Sequence, residues 1–245
     1  MATRTDERPL AAATDADRRE RVARVYERLV EAYGVPEWKP DGDALGGLVA
    51  TVLSQHTSDV NSERAYLRLR ERFAAWEAVR DAPVSEVEDA IRPGGLAAQK
   101  APRIQEILRV LSAQAGGGPP EEALADLGTL PLAEARARLR ELPGVGPKTA
   151  ACVLLFSLGK PAFPVDTHVL RVTKRLGLIG ARTTAEAAHD ELEALIPPQW
   201  RHTLHVNLIR LGREICYARN PACERCPLRA ECPYFWETAA ADREQ

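Results

Sequence analysis

The stretch LPGVGPKTAACVLLFSLGKPAFPVDTH, residues 142–168, decides the fold of this chain. It opens with the turn Gly144-Val145-Gly146 between two helix-forming segments, and glycine adopts backbone angles that other residues resist. Such a turn at the start of a helix can direct main-chain N–H groups at a phosphate. Lys148 follows in the first helical turn, where the helix dipole disfavours a cation and so favours a nucleophilic amine. A solvated surface lysine is the alternative interpretation.

The strings LPGVGPKTA and VDTH, in this order, resemble the helix-hairpin-helix-GPD superfamily of DNA glycosylases, and within it the endonuclease III family. The resemblance implies that Lys148 is the catalytic nucleophile and Asp166 the essential carboxylate. We expect His168 to shape the turn rather than to catalyse. The residues of this region that we expect to bind DNA are Gly144, Val145, Gly146, Thr149, His168 and Arg171.

Composition excludes several classes of protein. The net charge of −2 over 245 residues gives no general sign of nucleic-acid binding, but residues 143–178 hold five basic residues against Asp166 alone. The N-terminus is polar, and no apolar run approaches membrane-spanning length. Five cysteines without an export signal argue against a disulfide scaffold. We expect a cytoplasmic protein of bacterial type, associated with the nucleoid.

Apolar residues recur at helical spacing, and no segment alternates as a β-strand does, so the sequence predicts an all-α fold. A first helix is expected from near Asp17 to Gly34. Ser85 and Glu88 predict a capping box for a short helix. Residues 150–158 are apolar all round and predict a buried helix, whereas residues 115–131 are loop-like. Asp59 is a candidate cap for a helix that carries Tyr66, Leu67 and Phe73. Further helices are expected where apolar residues recur between residues 45 and 53, 104 and 111, and 132 and 142, and at about residues 167–176, 183–196 and 199–214.

Four cysteines near the C-terminus have the spacing C-x6-C-x2-C-x5-C: Cys216, Cys223, Cys226 and Cys232. Crowded thiolates bind a metal or a cluster. The spacing favours an iron–sulfur cluster over zinc, which usually takes two closely spaced pairs. It is identical to that of the endonuclease III and adenine-glycosylase loop, so the resemblance implies a [4Fe–4S] cluster. The arginines between the ligands, Arg219 above all, are candidates for contact with the DNA backbone.

Two further loops are candidates for entering the duplex. An enzyme that excises a base must extrude the nucleotide and fill the gap. Leu96, after Gly94-Gly95, resembles the leucine wedge of the family. In the segment LSQHTSDV, His56 aligns with the glutamine that the family inserts, and Gln55 precedes it. Either side chain is a candidate for insertion.

The resemblance covers roughly residues 20–235 and implies two helical lobes. We expect a helical barrel over residues 38–149 and a cluster domain made of residues 17–37 and 150–235. Residues 1–16 are expected to be disordered and residues 236–245 to form a flexible tail.

The implied activity is that of a bifunctional DNA glycosylase and AP lyase for oxidised pyrimidines, acting as a monomer on duplexes with oxidised bases or abasic sites. A mismatch or adenine glycosylase of the same superfamily is one alternative, although those enzymes lack the lysine. A non-catalytic iron–sulfur DNA-binding protein is the other.

Overall fold

The structure, a computed structural model, describes residues 14–241, with side chains as far as residue 239. Within residues 14–241 there are helices and turns and no strand, which confirms the predicted all-α fold. None of the helices in this part of the chain combines the length and apolar character needed to cross a membrane. The α-helices of the described residues are α1 (Asp15–Tyr33), α2 (Ala44–Ser54), α3 (Asp59–Arg72), α4 (Trp76–Asp81), α5 (Val84–Ile91), α6 (Ala97–Gln114), α7 (Leu132–Arg140), α8 (Pro147–Cys152), α9 (Thr167–Arg175), α10 (Ala185–Leu195), α11 (Arg201–Glu214) and α12 (Pro233–Ala241).

Residues 38–164 form one compact unit that contains α2 to α8. Its core is a continuous cluster of buried apolar side chains to which each of these helices contributes, with Leu48, Leu69 and Ile104 fully buried. Helix α6 packs against α4 and α5 and against the 3₁₀ turn Pro120–Leu124. The apolar periodicity of the sequence therefore produces one core, because each amphipathic helix buries its stripe against its neighbours.

The boundary of this unit is set by the segment that follows α8. The helix continues into a π-helical turn, Val153–Ser157, so the buried helix expected over residues 150–158 is divided. Gly42 donates its N–H to the carbonyl of Ser157 at 2.9 Å, and the Ser157 side chain occupies the space that a Cβ at position 47 would need. These contacts hold residues 150–164 to α2, and the boundary falls after Pro164 instead of the expected position after Thr149.

Residues 14–37 and 165–241 form a second compact unit, made of α1 and α9 to α12. Long polar side chains join its sequence-distant parts. Arg24 Nε donates to Glu231 Oε2 at 2.8 Å, which ties α1 to the cysteine-bearing segment. Arg21 Nη1 donates to the carbonyl of Leu176 at 3.1 Å, and Asn207 Nδ2 to that of Gly34 at 3.0 Å.

Several helix starts differ from expectation. The cap predicted at Asp59 is wrong, because Ser58 is the N-cap of α3 and its side chain accepts the N–H of Asn61. α1 begins at Asp15, because Thr14 and Asp17 form a reciprocal capping box. Residues 15 and 16, expected to be disordered, are therefore helical, and residues 1–13 of that expected tail lie outside the described residues. The capping box predicted from Ser85 and Glu88 is wrong: α5 begins at Val84, directly after a proline, and has no side-chain cap.

Two segments expected to be irregular are more ordered than the sequence predicts. Residues 236–241 of the expected flexible tail belong to α12, and residues 242–245 lie outside the described part of the chain. The segment 115–131 packs against α6, with Leu124 and Leu127 buried. Arg138 Nη1 donates to Asp126 Oδ1 at 2.7 Å and fastens this segment to α7. It therefore contributes to the core as well as connecting two helices.

Candidate nucleic-acid interface and metal centre

The hairpin between α7 and α8 has the predicted conformation in most respects. Gly144 has a φ of +71°, a left-handed conformation that favours glycine, and a Cβ there would also displace the flexible Arg103 side chain, whose Nε would lie 2.8 Å away. Val145 is buried and donates its N–H to the carbonyl of Leu142 at 3.1 Å. This N–H holds the turn together instead of pointing outward. Gly146 is the N-cap of α8 in an extended conformation, and the proline at the first helical position lacks an N–H.

Lys148 is half-buried in the first turn of α8, directly after this hairpin. Its neighbour Thr149 is only 4% exposed, and Gln55 Nε2 donates to Thr149 Oγ1 at 3.5 Å. The unit of residues 38–164 therefore brings the end of α2 next to the start of α8. A buried threonine hydroxyl that accepts such a bond supports the fold, and the DNA contact predicted for Thr149 stays a prediction.

The two loops expected to enter the duplex share a backbone feature. His56 (φ 54°) and Leu96 (φ 51°) are the non-glycine residues within residues 38–164 that have positive φ. The left-handed conformation costs an L-residue about 1–2 kcal/mol, and such strain concentrates at functional sites. Leu96 is 45% exposed at the N-cap of α6, so its side chain is not a core contact. His56 is exposed, whereas Gln55 is half-buried.

Asp166 lies in the second unit as the N-cap of α9. Its Oδ1 accepts the N–H of Val169 at 2.7 Å, which fixes the orientation of the carboxylate. The preceding residue is held by a buried histidine: the N–H of Val165 donates to His189 Nε2 at 3.2 Å. His189 Nδ1 lies 2.9 Å from the carbonyl of Ala185. Sequence analysis missed His189, because one histidine on an amphipathic helix carries no signal of its own.

His168 and Arg171 follow on the same helix and are engaged within the second unit. Arg171 Nε donates to the carbonyl of Cys216, and Nη2 to that of Gly212, both at 2.9 Å. The Arg171 Nη2 also lies 3.1 Å from His168 Nδ1. His168 packs so closely on α11 that a Cβ at position 212 would lie 2.8 Å from its own. Arg171 thus holds the start of the cysteine loop, residues 215–232, to α9. The turn-shaping role expected for His168 and the DNA contacts of both residues stay predictions.

Cys216, Cys223, Cys226 and Cys232 together line one small cavity. The side chains of Arg175 and Tyr234 line it as well, and the guanidinium carbon of Arg175 lies 4.4 Å from the centre of the tyrosine ring. Within the described residues, no three His, Cys, Asp or Glu side chains are placed to hold a metal ion. The thiols instead surround a space, which is the arrangement that a cluster held by four thiolates needs.

The electrostatics of this cavity fit a cationic cluster core. Burial raises the pKa of Cys226 to about 11, and it also raises the pKa of Cys223 and Cys232. The neighbouring thiolates raise these pKa values further. Bound iron reverses this tendency, because a coordinated thiol is deprotonated. Arg175 Nη1 lies 3.2 Å from Cys216 Sγ and donates to the carbonyl of Tyr217 at 2.7 Å. Sequence analysis counted Arg175 only as part of a basic patch.

The arginines of the cysteine loop divide into two groups. Arg225 Nη2 donates to the carbonyl of Glu214 at 2.7 Å, and Arg229 Nη1 to Glu224 Oε2 at 2.6 Å. All three side chains are exposed, but these hydrogen bonds hold only Arg225 and Arg229. The DNA-backbone contact expected of Arg219 stays a prediction.

Family models match both parts of the chain. Residues 49–198 match the HhH-GPD superfamily of base excision DNA repair proteins. Residues 216–232, the segment bounded by the first and last of the four cysteines, match the iron–sulfur binding domain of endonuclease III. The cofactor expected from the cysteine spacing is thus supported independently of the cavity.

Individual relatives agree with these matches. An endonuclease III from Thermotoga maritima is 36% identical over 200 residues, which cover 82% of this chain and 87% of the relative. A thymine-DNA glycosylase from Aeropyrum pernix is 28% identical over 228 residues, covering 88% and 96%. Among solved structures, a trapped endonuclease III–DNA covalent intermediate superposes with a TM-score of 0.73 at 28% identity, covering 90% of this chain and 98% of that one.

Fold, hairpin and comparisons together define a DNA glycosylase and lyase of base excision repair, in the helix-hairpin-helix-GPD superfamily. Within that superfamily the chain belongs to the endonuclease III family, and its cofactor is an iron–sulfur cluster.

Proposed function

We propose that this chain excises oxidised pyrimidines from duplex DNA and then cuts the resulting abasic site, with Lys148 as the nucleophile. The observation that carries the proposal is the position of Lys148, half-buried in the first turn of α8 directly after the Gly144–Gly146 hairpin of the family. A lysine amine can form a Schiff base with a sugar aldehyde carbon, which is the covalent chemistry that a glycosylase and lyase needs. The choice of oxidised pyrimidines rests on membership of the family.

The chemistry follows from an amine and a carboxylate. Lys148 Nζ attacks C1′ of the sugar, the glycosidic bond breaks, and the damaged base leaves with the bonding electrons and then takes up a proton. The attached amine loses a proton, the C1′–O4′ bond of the sugar ring then breaks while O4′ takes up a proton, and the opened sugar becomes an iminium ion joined to Lys148. Loss of the C2′ proton then expels the 3′ phosphate by β-elimination, and water releases the lysine. Asp166, oriented by the N–H of Val169, stabilises positive charge that develops at the sugar.

The two strained loops would fill the space left by the extruded nucleotide. Leu96 supplies an exposed apolar side chain that can stack between bases, and His56 is the more exposed of the two candidates beside it. Gln55 is engaged with Thr149, so we propose His56 as the side chain that meets the opposite strand. Arg219 would contribute a phosphate contact from the second unit.

The cluster has a structural role in this proposal. Cys216, Cys223, Cys226 and Cys232 would each supply one thiolate to a [4Fe–4S] cluster. When bound, the cluster would join the four cysteine positions of the loop to one another, and Arg171 and Arg175 hold the same loop to α9 by its carbonyls. We further propose that the protein acts as a monomer on chromosomal DNA.

Borohydride trapping tests the assignment of Lys148. Wild-type protein on a duplex with one thymine glycol, an oxidised pyrimidine, should give a covalent adduct when the imine is reduced. Lys148→Gln should abolish adduct and strand cleavage while DNA binding persists, because the hairpin main chain is unchanged.

Lys160→Gln is the matched control, since Lys160 lies in the same unit and its Nζ donates to the carbonyl of Leu130. This variant should trap like wild type. An adduct formed by Lys148→Gln at wild-type yield would assign the nucleophile to another amine.

A further inference from the structure

A buried lysine lies behind both strained loops. Lys100 is 4% exposed in α6, and its Nζ donates to the carbonyl of Leu53 at 2.7 Å and to that of Gly94 at 2.8 Å. The first carbonyl is three residues before His56, and the second is two residues before Leu96. The main-chain N–H of Lys100 also donates to the carbonyl of Leu96 at 3.0 Å. Lys100 thus anchors both loops through main-chain atoms near their N-terminal ends.

The position is costly for a lysine, so it calls for a reason. Burial lowers the pKa of Lys100, because the charged form loses its hydration. Among the described residues its hydrogen-bond partners are main-chain carbonyls, and no carboxylate pairs with it. The carbonyl of Leu53 lies in the last turn of α2, where the helix leaves acceptors without partners and its dipole favours a cation.

We propose that Lys100 is a positioning residue that joins the Gln55–His56 loop to the Leu96 loop, so that both enter the duplex as one rigid element. The inference rests on the proposed function of those loops. An apolar side chain can separate stacked bases only if its loop is rigid enough not to be displaced by them. A single ammonium group that is hydrogen-bonded to both loops fixes the distance between them. Because that distance is fixed before DNA binds, no conformational entropy is lost in ordering the loops when the nucleotide flips.

The same helix offers a control for stability. Gln105 is 2% exposed, and its Nε2 donates to the carbonyls of Val79 at 2.9 Å and Ala82 at 2.7 Å. Like Lys100, it is a buried polar side chain of α6 that satisfies two carbonyls. Its partners lie at the end of α4, away from both strained loops. Loss of the Gln105 bonds therefore reports on stability alone.

The experiment measures two rates for each variant: excision of thymine glycol from a duplex, and cleavage of a preformed abasic site. Lys100→Met keeps an unbranched apolar side chain as far as the lysine Cε and removes the donors, and it should lower the excision-to-cleavage ratio about tenfold, because only excision must open an intact stack. Lys100→Gln is one bond shorter and cannot reach both carbonyls, so it should lower the ratio roughly threefold or more. Gln105→Met should lower the melting temperature and leave the ratio unchanged.

A spectroscopic readout accompanies the rates. In a duplex with 2-aminopurine beside the lesion, the fluorescence rise on enzyme binding reports unstacking, and Lys100→Met should reduce that rise. Combining Lys100→Met with Leu96→Ala should lower the ratio no further than Leu96→Ala alone, because both changes disable the same wedge.

The outcomes separate this inference from the proposed function. If Leu96→Ala leaves the ratio at the wild-type value, the wedge assignment fails and the inference fails with it. If Leu96→Ala lowers the ratio but Lys100→Met lowers both rates equally, as a purely structural residue would, the inference alone is overturned. Should Lys100→Met not fold, an unchanged ratio in Lys100→Gln overturns it.

Discussion

The two units of the chain are stabilised in different ways. Each helix of residues 38–164 contributes to one apolar cluster. The unit of residues 14–37 and 165–241 also buries apolar side chains, but its cysteine loop is held largely by arginines that donate to main-chain carbonyls. These arginines are Arg171, Arg175 and Arg225, and their acceptors are the carbonyls of Gly212, Glu214, Cys216, Tyr217 and Ala218.

The first unit can therefore be stable by its own apolar core, whereas the second depends on a bound cofactor for part of its stability. An apolar core gains its free energy from the chain alone, at roughly 25 cal/mol per Å² buried. A loop that carries four clustered cysteines gains folding free energy from the metal that binds their thiolates. The same division applies to function, because the hairpin, Lys148 and both strained loops lie in the first unit, whereas Asp166 lies in the second.

Cys226→Ser should cause the largest loss of stability, and that loss should be confined to the cysteine-bearing unit. Loss of a ligand from the cluster should destabilise residues 165–232 by about 3 kcal/mol or more, because the folding free energy of a metal site includes its binding free energy. Hydrogen exchange measured by mass spectrometry should show lost protection there and retained protection in residues 38–164. Iron content and the broad absorbance near roughly 400 nm expected of an iron–sulfur centre should fall together.

Cys152→Ala is the control for this change, since Cys152 is a buried thiol of the other unit. It should keep full iron and cost about 1 kcal/mol for the small cavity. Equal loss of protection in both units of Cys226→Ser would contradict the division drawn above.

Much of the difference between the two units can be predicted from the sequence, because it depends on local sequence patterns. The apolar periodicity of α2 and α6, the glycine at position 34 that ends α1, and the cysteine spacing are each contained in a short window. The Gly144–Gly146 turn and the exposed leucine of the wedge loop follow in the same way.

What could not be predicted depends on contacts between distant residues. No local pattern indicates that the Lys100 amine reaches Leu53, or that Arg175 reaches Cys216. Arg171 had the expected sign for DNA binding, yet its donors are directed at carbonyls more than forty positions away in the sequence. The left-handed backbone of His56 is likewise invisible, since histidine carries no preference strong enough to reveal it.

Asp166→Asn should have the next largest effect and acts on the chemistry of the second unit without unfolding it. Asparagine caps a helix as well as aspartate does, so stability should change by less than about 0.5 kcal/mol. Excision should fall by about two orders of magnitude, the typical cost of one preorganised electrostatic partner, or roughly 2.7 kcal/mol.

Asp43→Asn is the matched change in the first unit, because Asp43 is the N-cap of α2 and its Oδ1 accepts the N–H of Gly46 at 2.7 Å. Its excision rate should stay within about twofold of wild type, as expected when only a helix cap is altered. Single-turnover rates on a thymine glycol duplex check both variants. If Asp166→Asn and Asp43→Asn lost excision rate equally, Asp166 would act only as a helix cap.

Gly144→Ala should have the smallest effect, and it tests whether the hairpin belongs to the self-sufficient unit. A Cβ at position 144, where φ is +71°, would lie 2.8 Å from Arg103 Nε, so the change should cost about 1–2 kcal/mol in residues 38–164.

Gly146→Ala is the control, since Gly146 has a φ of −87° and a Cβ there meets nothing within 4 Å. It should cost less than about 0.5 kcal/mol and still weaken DNA binding several-fold, if the open space that the methyl group enters is where a phosphate contacts the hairpin main chain, as we propose. Denaturation followed by hydrogen exchange gives the stabilities, and fluorescence anisotropy gives the affinities. If Gly144→Ala destabilised the cysteine-bearing unit as much as its own, the two units would not be energetically separate.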